Sequence, residues 1–306
     1  MRKRIRKQII KSTWDDRIFD LITGLFLIVV VVITLYPIYF VVLASFTEPV
    51  NVNSGDLLLY PKDITLSGYK KVFGDSRVWS GYFNTLLYTV CGTVYGTAIT
   101  VMAGYALSRK DMIGRGLLMK IFVFTMYFSG GMIPTYLVIN SMGLVNTRLL
   151  MIILGSVSVY NMIIVRSFMA SNIPDELLEA ARIDGCGNGQ FFVKIVLPLS
   201  KAVISVIVLY IAVNYWNSYF DAMMYLTDSG KYPLQLYLRT ILFQSQAASL
   251  NAETAMADPE YAEEMKTMAQ VVKYSIIVVA TAPIICVYPF IQKYFVKGVM
   301  IGSVKG

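Results

Sequence analysis

Six sparsely charged apolar stretches recur along the chain, at residues 18–44, 82–107, 117–139, 149–168, 202–226 and 271–295. Each is 20 to 27 residues long, and about 20 apolar residues suffice for a helix to cross the hydrocarbon of a bilayer. The pattern predicts an all-α fold of six transmembrane helices, with a basic segment (1–17) before the first and a short tail (297–306) after the last. Two longer segments, 45–81 and 227–270, separate spans on one side, and 171–201 separates the fourth and fifth spans on the other. The first stretch is too long for the apolar region of a cleaved signal peptide, and no small-residue cleavage site follows it.

Composition agrees with this pattern. Apolar residues make up 56% of the 306 positions and charged residues 15%, against roughly 25% charged in a typical soluble domain. The net charge of +8 could suggest nucleic acid, but in a membrane chain the placement of charge matters more than its sum. With a cytoplasmic N-terminus, 18 of the 27 basic residues fall on the cytoplasmic side. Both termini are therefore expected inside and no nucleic-acid partner is expected. The chain has no histidine, which excludes histidine acid–base chemistry, a Ser-His-Asp triad and histidine metal sites. Cys91, Cys186 and Cys286 are widely spaced, supporting neither a zinc cluster nor a disulfide framework.

The segment IPDELLEAARIDGCGNGQFFVKIVLPLSKA lies between the fourth and fifth spans. Asp175 and Glu176 follow Pro174, where a helix start tolerates proline and favours carboxylates. Leu177, Ala180, Ala181 and Asp184 then share a face of small and apolar groups beside an acid. Gly185, Gly187 and Gly189 are expected to break the helix, and Phe191–Leu197 to form a second amphipathic piece that Pro198 ends. Such a helix–break–helix element would lie along the inner membrane surface, its small residues admitting another backbone. The alternative is an ordinary amphipathic surface loop.

Glu179-Ala180-Ala181, Asp184-Gly185, Ile195 and Leu197-Pro198 resemble the EAA loop of ABC importer permeases. One position departs, since Lys201-Ala202 stand where the family often has a further proline. DRIFDLITGLFLIVVVVITLYPIYFVVLASF, GGMIPTYLVINSMGLVNT, WNSYFDAMMYL and KGVMIGSVKG extend the resemblance to the carbohydrate branch, the MalG-like group and its LplC/YtcP-type subgroup. The resemblance implies a coupling helix that docks into a separate ATPase, with polar contacts from Glu179 and Asp184. It implies close packing by Ala180, Ala181 and Gly185, and contributions from Leu197 and Pro198. It further implies a second permease subunit, two ATPase copies holding ATP and Mg, and an extracytoplasmic binding protein. The substrate would be a carbohydrate, several members of the subgroup handling complex plant-type or acidic oligosaccharides. The tail 297–306 would reach between the ATPases. The chain itself has no phosphate-binding G-x-x-x-x-G-K-[ST] loop, so no cofactor and no catalytic or metal residue is expected on it.

Within the spans, Gly92, Gly96, Thr100 and Gly104 recur every four residues, which suits close helix packing; lining a pore is the alternative. Pro37, Gly130, Gly131, Pro134, Pro283 and Pro289 mark kinks, static or deformable. Asn214, Asn217 and Asp221 fall at i, i+3 and i+7 of the fifth span, among Tyr215, Trp216 and Tyr219. Amides, a carboxylate and aromatic rings would suit a sugar pathway, with Asn214, Trp216, Asn217, Tyr219 and Asp221 as its candidates; bonding to neighbouring helices or an interfacial aromatic belt is the alternative. Rival functions are an ion-coupled secondary transporter, an importer of a non-sugar solute and a non-transporting scaffold. The first needs membrane-depth carboxylates, and Asp221 is the only candidate.

Overall fold

The structure, a computed structural model, describes residues 13–48, 51–52, 60–61, 63–254 and 272–286. The basic segment before residue 13, Asn53 and Gly55, the acidic stretch 258–264, Pro289 and the tail 297–306 lie outside the described residues. The helices are α1 (Trp14–Phe46), α2 (Ser67–Gly74), α3 (Ser76–Ser108), α4 (Arg115–Tyr127), α5 (Met132–Ser141), α6 (Arg148–Ile153) and α7 (Val159–Asn172). They continue as α8 (Asp175–Ile183), α9 (Asn188–Leu199), α10 (Lys201–Asn217), α11 (Phe220–Tyr225), α12 (Leu234–Thr254) and α13 (Val272–Cys286). Among the described residues there is no strand, only one antiparallel bridge between Thr47 and Ile64.

Two of these helices, α1 and α3, are each 33 residues long, and each is long and apolar enough to cross a membrane. Thr13 starts α1 with a capping box, its hydroxyl accepting from the Asp16 amide and the Asp16 carboxylate accepting from the Thr13 amide at 2.8 Å. Asp75 caps α3, accepting from the Arg77 amide at 2.9 Å. The Arg77 guanidinium beside it holds that carboxyl down at about 2, and the Tyr237 hydroxyl donates to it from α12.

Three expected spans are not single helices. Residues 117–139 divide into α4 and α5, bent by 114°, because Gly131 adopts φ +88°, a conformation open to glycine. Residues 149–168 divide into α6 and α7 around Gly155, at φ +73°, with Ser158 capping the second piece. Residues 202–226 divide at Ser218 and Tyr219 into α10 and α11. The glycine pair Gly130-Gly131 and Pro134 mark the first of these breaks in the sequence; the pattern misses the other two because both fragments of each pair stay apolar.

The core forms around α3, which packs on α6, α7, α10 and α12. A Cβ at Gly92 would overlap the Tyr215 ring, and one at Gly104 would come within 2.6 Å of Val165. At Gly96 the added carbon would overlap the Ser156 carbonyl oxygen. The glycine row therefore lies against α10, the break between α6 and α7, and α7 itself. The Tyr215 hydroxyl donates to the Ile152 and Leu154 carbonyls, which the break leaves without helical partners. A second cluster joins Val72, Val78, Leu234, Ile276 and Ala280 across α2, α3, α12 and α13. By contrast, α1 buries only Leu43, Ala44 and Ser45 at its C-terminal end.

Gly96→Ala should destabilise the purified permease by about 1–3 kcal/mol, the usual cost of overpacking. Gly24→Ala, on the open surface of α1, should not destabilise it, since alanine favours a helix over glycine. Thermal unfolding in detergent measures both, and equal melting temperatures would contradict the close contact.

Candidate functional site

The segment between α7 and α10 folds as its sequence dictates locally. Pro174 precedes α8 in extended conformation, and Asp175 and Glu176 occupy its first turn, where they complement the helix dipole. At the other end Gly185, at φ +73°, closes the helix. The Cys186 amide donates to the Ala181 carbonyl at 2.8 Å and the Gly185 amide to the Arg182 carbonyl at 3.0 Å, a Schellman closure that favours glycine. Gly187 precedes α9 as its N-cap, whereas Gly189 lies inside its first turn; only part of the glycine run breaks the chain. Pro198 likewise does not end the second helix. A π-helical turn at Phe192–Val196 leads into it, and the helix continues to Leu199 before bending 80° into α10. The wider turn relieves the lost amide and ring clash that proline brings to a regular helix.

Residues of α8 sort into two faces. Leu178 and Ala181 are buried in the chain's own core with Phe191 and Val196. Glu179, Ala180, Asp184 and Gly185 are exposed, as is Pro198, and Leu197 is half-buried. Ala181 thus corrects the sequence expectation: it packs inward, because positions i and i+3 from Leu178 share the inner face. The outward face consists of Glu179, Ala180, Ile183 and Asp184, with Ile183 87% exposed.

A clasp holds α8 against the turn that follows α3. Lys110 Nζ lies 2.7 Å from the Asp175 carboxylate, and Arg182 lies 3.0 Å from Asp111. Arg109 also grips Asp111 through two hydrogen bonds of 2.9 and 2.6 Å. Arg109, then Arg182, hold the Asp111 carboxyl well below the ordinary carboxylate range, and Asp175 raises the Lys110 amine. Arg109 and Lys110 belong to the basic residues of the cytoplasmic side, and their distribution alone does not reveal these pairings. The adjacent opposite charges of Arg109-Lys110-Asp111 were the available signal. Beside the clasp is a cleft of about 280 Å³ lined by Arg109, Arg115, Arg166, Glu176 and Phe191.

The fifth-span candidates do not share one continuous helix face. Asn214 and Asp221 are nevertheless brought together across the Ser218–Tyr219 break, where they line a cavity of about 20 Å³ with Tyr88, Tyr215 and Ser218, room for roughly one water. Asn217 is exposed and its amide donates to the Val213 carbonyl at 2.9 Å, a local bond that competes with helix continuation. Trp216 is a correction: it is buried, its indole donating to the Ala280 carbonyl at 3.3 Å. Tyr219 lies under the Arg239 guanidinium, 4.5 Å from its ring centroid, a partner that sequence spacing gave no means of finding.

The family of binding-protein-dependent transport system inner membrane components matches residues 14–301. Among curated relatives, the polygalacturonan/rhamnogalacturonan transport system permease protein YtcP of Bacillus subtilis is 40% identical, over 95% of this chain and 99% of its own. Protein LplC of the same organism is 39% identical over 96% and 97% respectively. A crystal structure of a bacterial ABC transporter involved in import of the acidic polysaccharide alginate superposes with a TM-score of 0.81 at 35% identity, covering 92% of this chain and 98% of the other. With a matching family over nearly its whole length and two such relatives, this chain belongs to the inner membrane components of bacterial binding-protein-dependent ABC transport systems, as a multi-pass permease of the plasma membrane.

Proposed function

We propose that the chain is one translocation subunit of an ATP-binding-cassette importer for carbohydrate, with an oligosaccharide carrying uronate groups as cargo. The similarity over nearly full length to permeases named for polygalacturonan/rhamnogalacturonan transport and for alginate import supports the cargo class. In this reading six spans place both termini in the cytoplasm, as the basic residues distribute. A second permease subunit completes the pathway, two copies of a separate ATPase supply ATP hydrolysis with Mg, and a binding protein delivers the sugar to the outer segments 45–81 and 227–270.

One observation carries the coupling role: α8 presents Glu179, Ala180 and Asp184 outward while Leu178 and Ala181 anchor it within the core. The ATPase would grip that outer face. Because Lys110 and Asp111 tie α8 to the end of α3, movement of the helix would reach α3 as well as α10. Asn214, Asn217 and Asp221, at and beside the break in the fifth span, would contact sugar hydroxyls, with Tyr219 offering a ring face.

Glu179→Lys should weaken ATPase docking by at least about 2 kcal/mol, roughly 30-fold, as for a hot-spot residue, leaving the permease in the membrane. Ala181→Lys should instead lower permease abundance, because the charge enters the core. Co-purification of the ATPase with quantified permease separates the two effects; unchanged docking and substrate-stimulated hydrolysis in Glu179→Lys would refute the role.

Asp111→Asn should speed hydrogen exchange of the α8 amides relative to α7. A carboxylate with a depressed pKa contributes fully above its unfolded value and loses that contribution only as pH falls through its folded value. The difference between variant and parent should therefore be the same at about pH 6 and about pH 8. A contribution that fades between those two values would contradict the clasp.

Asn217→Leu and Asp221→Ala should each lower oligosaccharide uptake several-fold without loss of ATPase docking. Radiolabelled uptake in cells tests this, and normal transport by both variants would remove the span from the pathway.

A further inference from the structure

Two features that transport coupling does not use meet on α4. The first is an apolar groove of about 590 Å³ along the helix, walled by Met119, Val123, Phe124, Tyr127 and Phe128. The second is a set of cations, Arg115 and Lys120 on α4 and Arg166 on α7, which line the same groove towards the start of α4. Among the described residues none of the three forms an ion pair. The Arg166 Nε donates only to the Leu107 carbonyl, at 3.2 Å, and Arg115 to the Arg109 carbonyl, at 3.2 Å. Arg115 and Arg166 are half-buried, a setting in which an uncompensated charge is costly. The acids of the adjoining cleft are Asp175, already paired with Lys110, and Glu176. Neither lines the groove.

We infer that this groove is a site for one anionic phospholipid, with its phosphate between Arg115, Lys120 and Arg166 and an acyl chain along Val123, Phe124 and Tyr127. Charge complementarity selects the occupant. A row of unpaired cations at one end and a carboxylate-free apolar wall beyond it match a single amphiphile with a negative head. The dimensions agree: α4 has 13 residues and so runs about 20 Å, enough to carry a chain through one leaflet of about 15 Å. No residue of α4 is buried within its own chain, so the wall is free to contact lipid. The head would sit at the leaflet boundary, next to the clasp on α8, since Arg115 and Arg166 line both the groove and the cleft. The site rests on the membrane assignment of the family, and on neither the docked ATPase nor the identity of the sugar.

The assembled importer, reconstituted in nanodiscs of phosphatidylcholine with a minor fraction of phosphatidylglycerol bearing a photoreactive acyl chain, tests it. Labelling of residues 123–128 is read by peptide mass spectrometry and normalised to labelling of α1, whose side chains are largely exposed. Phosphatidylglycerol should label α4 strongly, and photoreactive phosphatidylcholine should label it weakly. Arg115→Gln and Arg166→Gln should each cut the phosphatidylglycerol signal about fivefold, the loss expected for one cation near an anionic head. Val123→Trp, which fills the groove and leaves every charge in place, should remove the signal as well. Equal labelling by the two lipids, or labelling indifferent to both arginine variants, would overturn the site. So would an unlabelled α4 in which a cysteine placed at Phe124 cross-links to the second permease subunit, showing protein in the groove.

Discussion

The demand that governs this fold is that no backbone carbonyl or amide be left bare at membrane depth, where water cannot satisfy it. An unbroken helix meets the demand by itself, as α1 does. A broken one requires other donors, and at the break between α6 and α7 they include the Ser156 and Tyr215 hydroxyls. The Tyr215 hydroxyl reaches the Ile152 and Leu154 carbonyls, and its ring can do so only because Gly92 leaves space on α3. Gly96 lets the same helix approach the Ser156 carbonyl. Thus the glycine row, the tyrosine and the interrupted span form one arrangement in which each part requires the others.

The same economy of partners appears at the polar end of the molecule. Asp111 accepts from both Arg109 and Arg182, and Asp175 meets Lys110, so the α8 helix is fastened by charge where its apolar contacts, chiefly Leu178 and Ala181, are few. Exposed ion pairs individually contribute little, yet here they hold α8 against the turn after α3. Burial of Leu178 and Ala181 turns Glu179 and Asp184 outward. Packing and charge together determine what the helix can offer to another protein.

Much of this was legible in the sequence. The apolar runs fall within α1 and α3, since a long uninterrupted stretch admits little besides a helix in lipid, although α3 begins at Ser76, six residues before its run. The start of α8 at Pro174 and its closure at Gly185 followed from the chemistry of helix ends. The break at Gly131 was marked by its glycine pair and Pro134, whereas those near Gly155 and Ser218 were less visible, because hydropathy records composition and is blind to direction of travel. Trp216 shows the same limit. Its place beside Asn217 suggested a pathway, while its indole in fact binds the Ala280 carbonyl from a helix more than sixty positions away. The pairing of Asp111 with Arg182 depended on tertiary proximity and had no local signature beyond an acid directly after two cations.

The 80° bend between α9 and α10 has a mechanical consequence. A straight rod pushed at one end can only slide or tilt, but a cranked one converts a push along its short arm into torque about its long arm. With α8 fastened at the short arm and the Tyr215 contact part-way along the long one, a small displacement at the membrane surface would twist α10 beneath the glycines of α3. A push on the short arm would then be answered by rotation of α10 more readily than by translation.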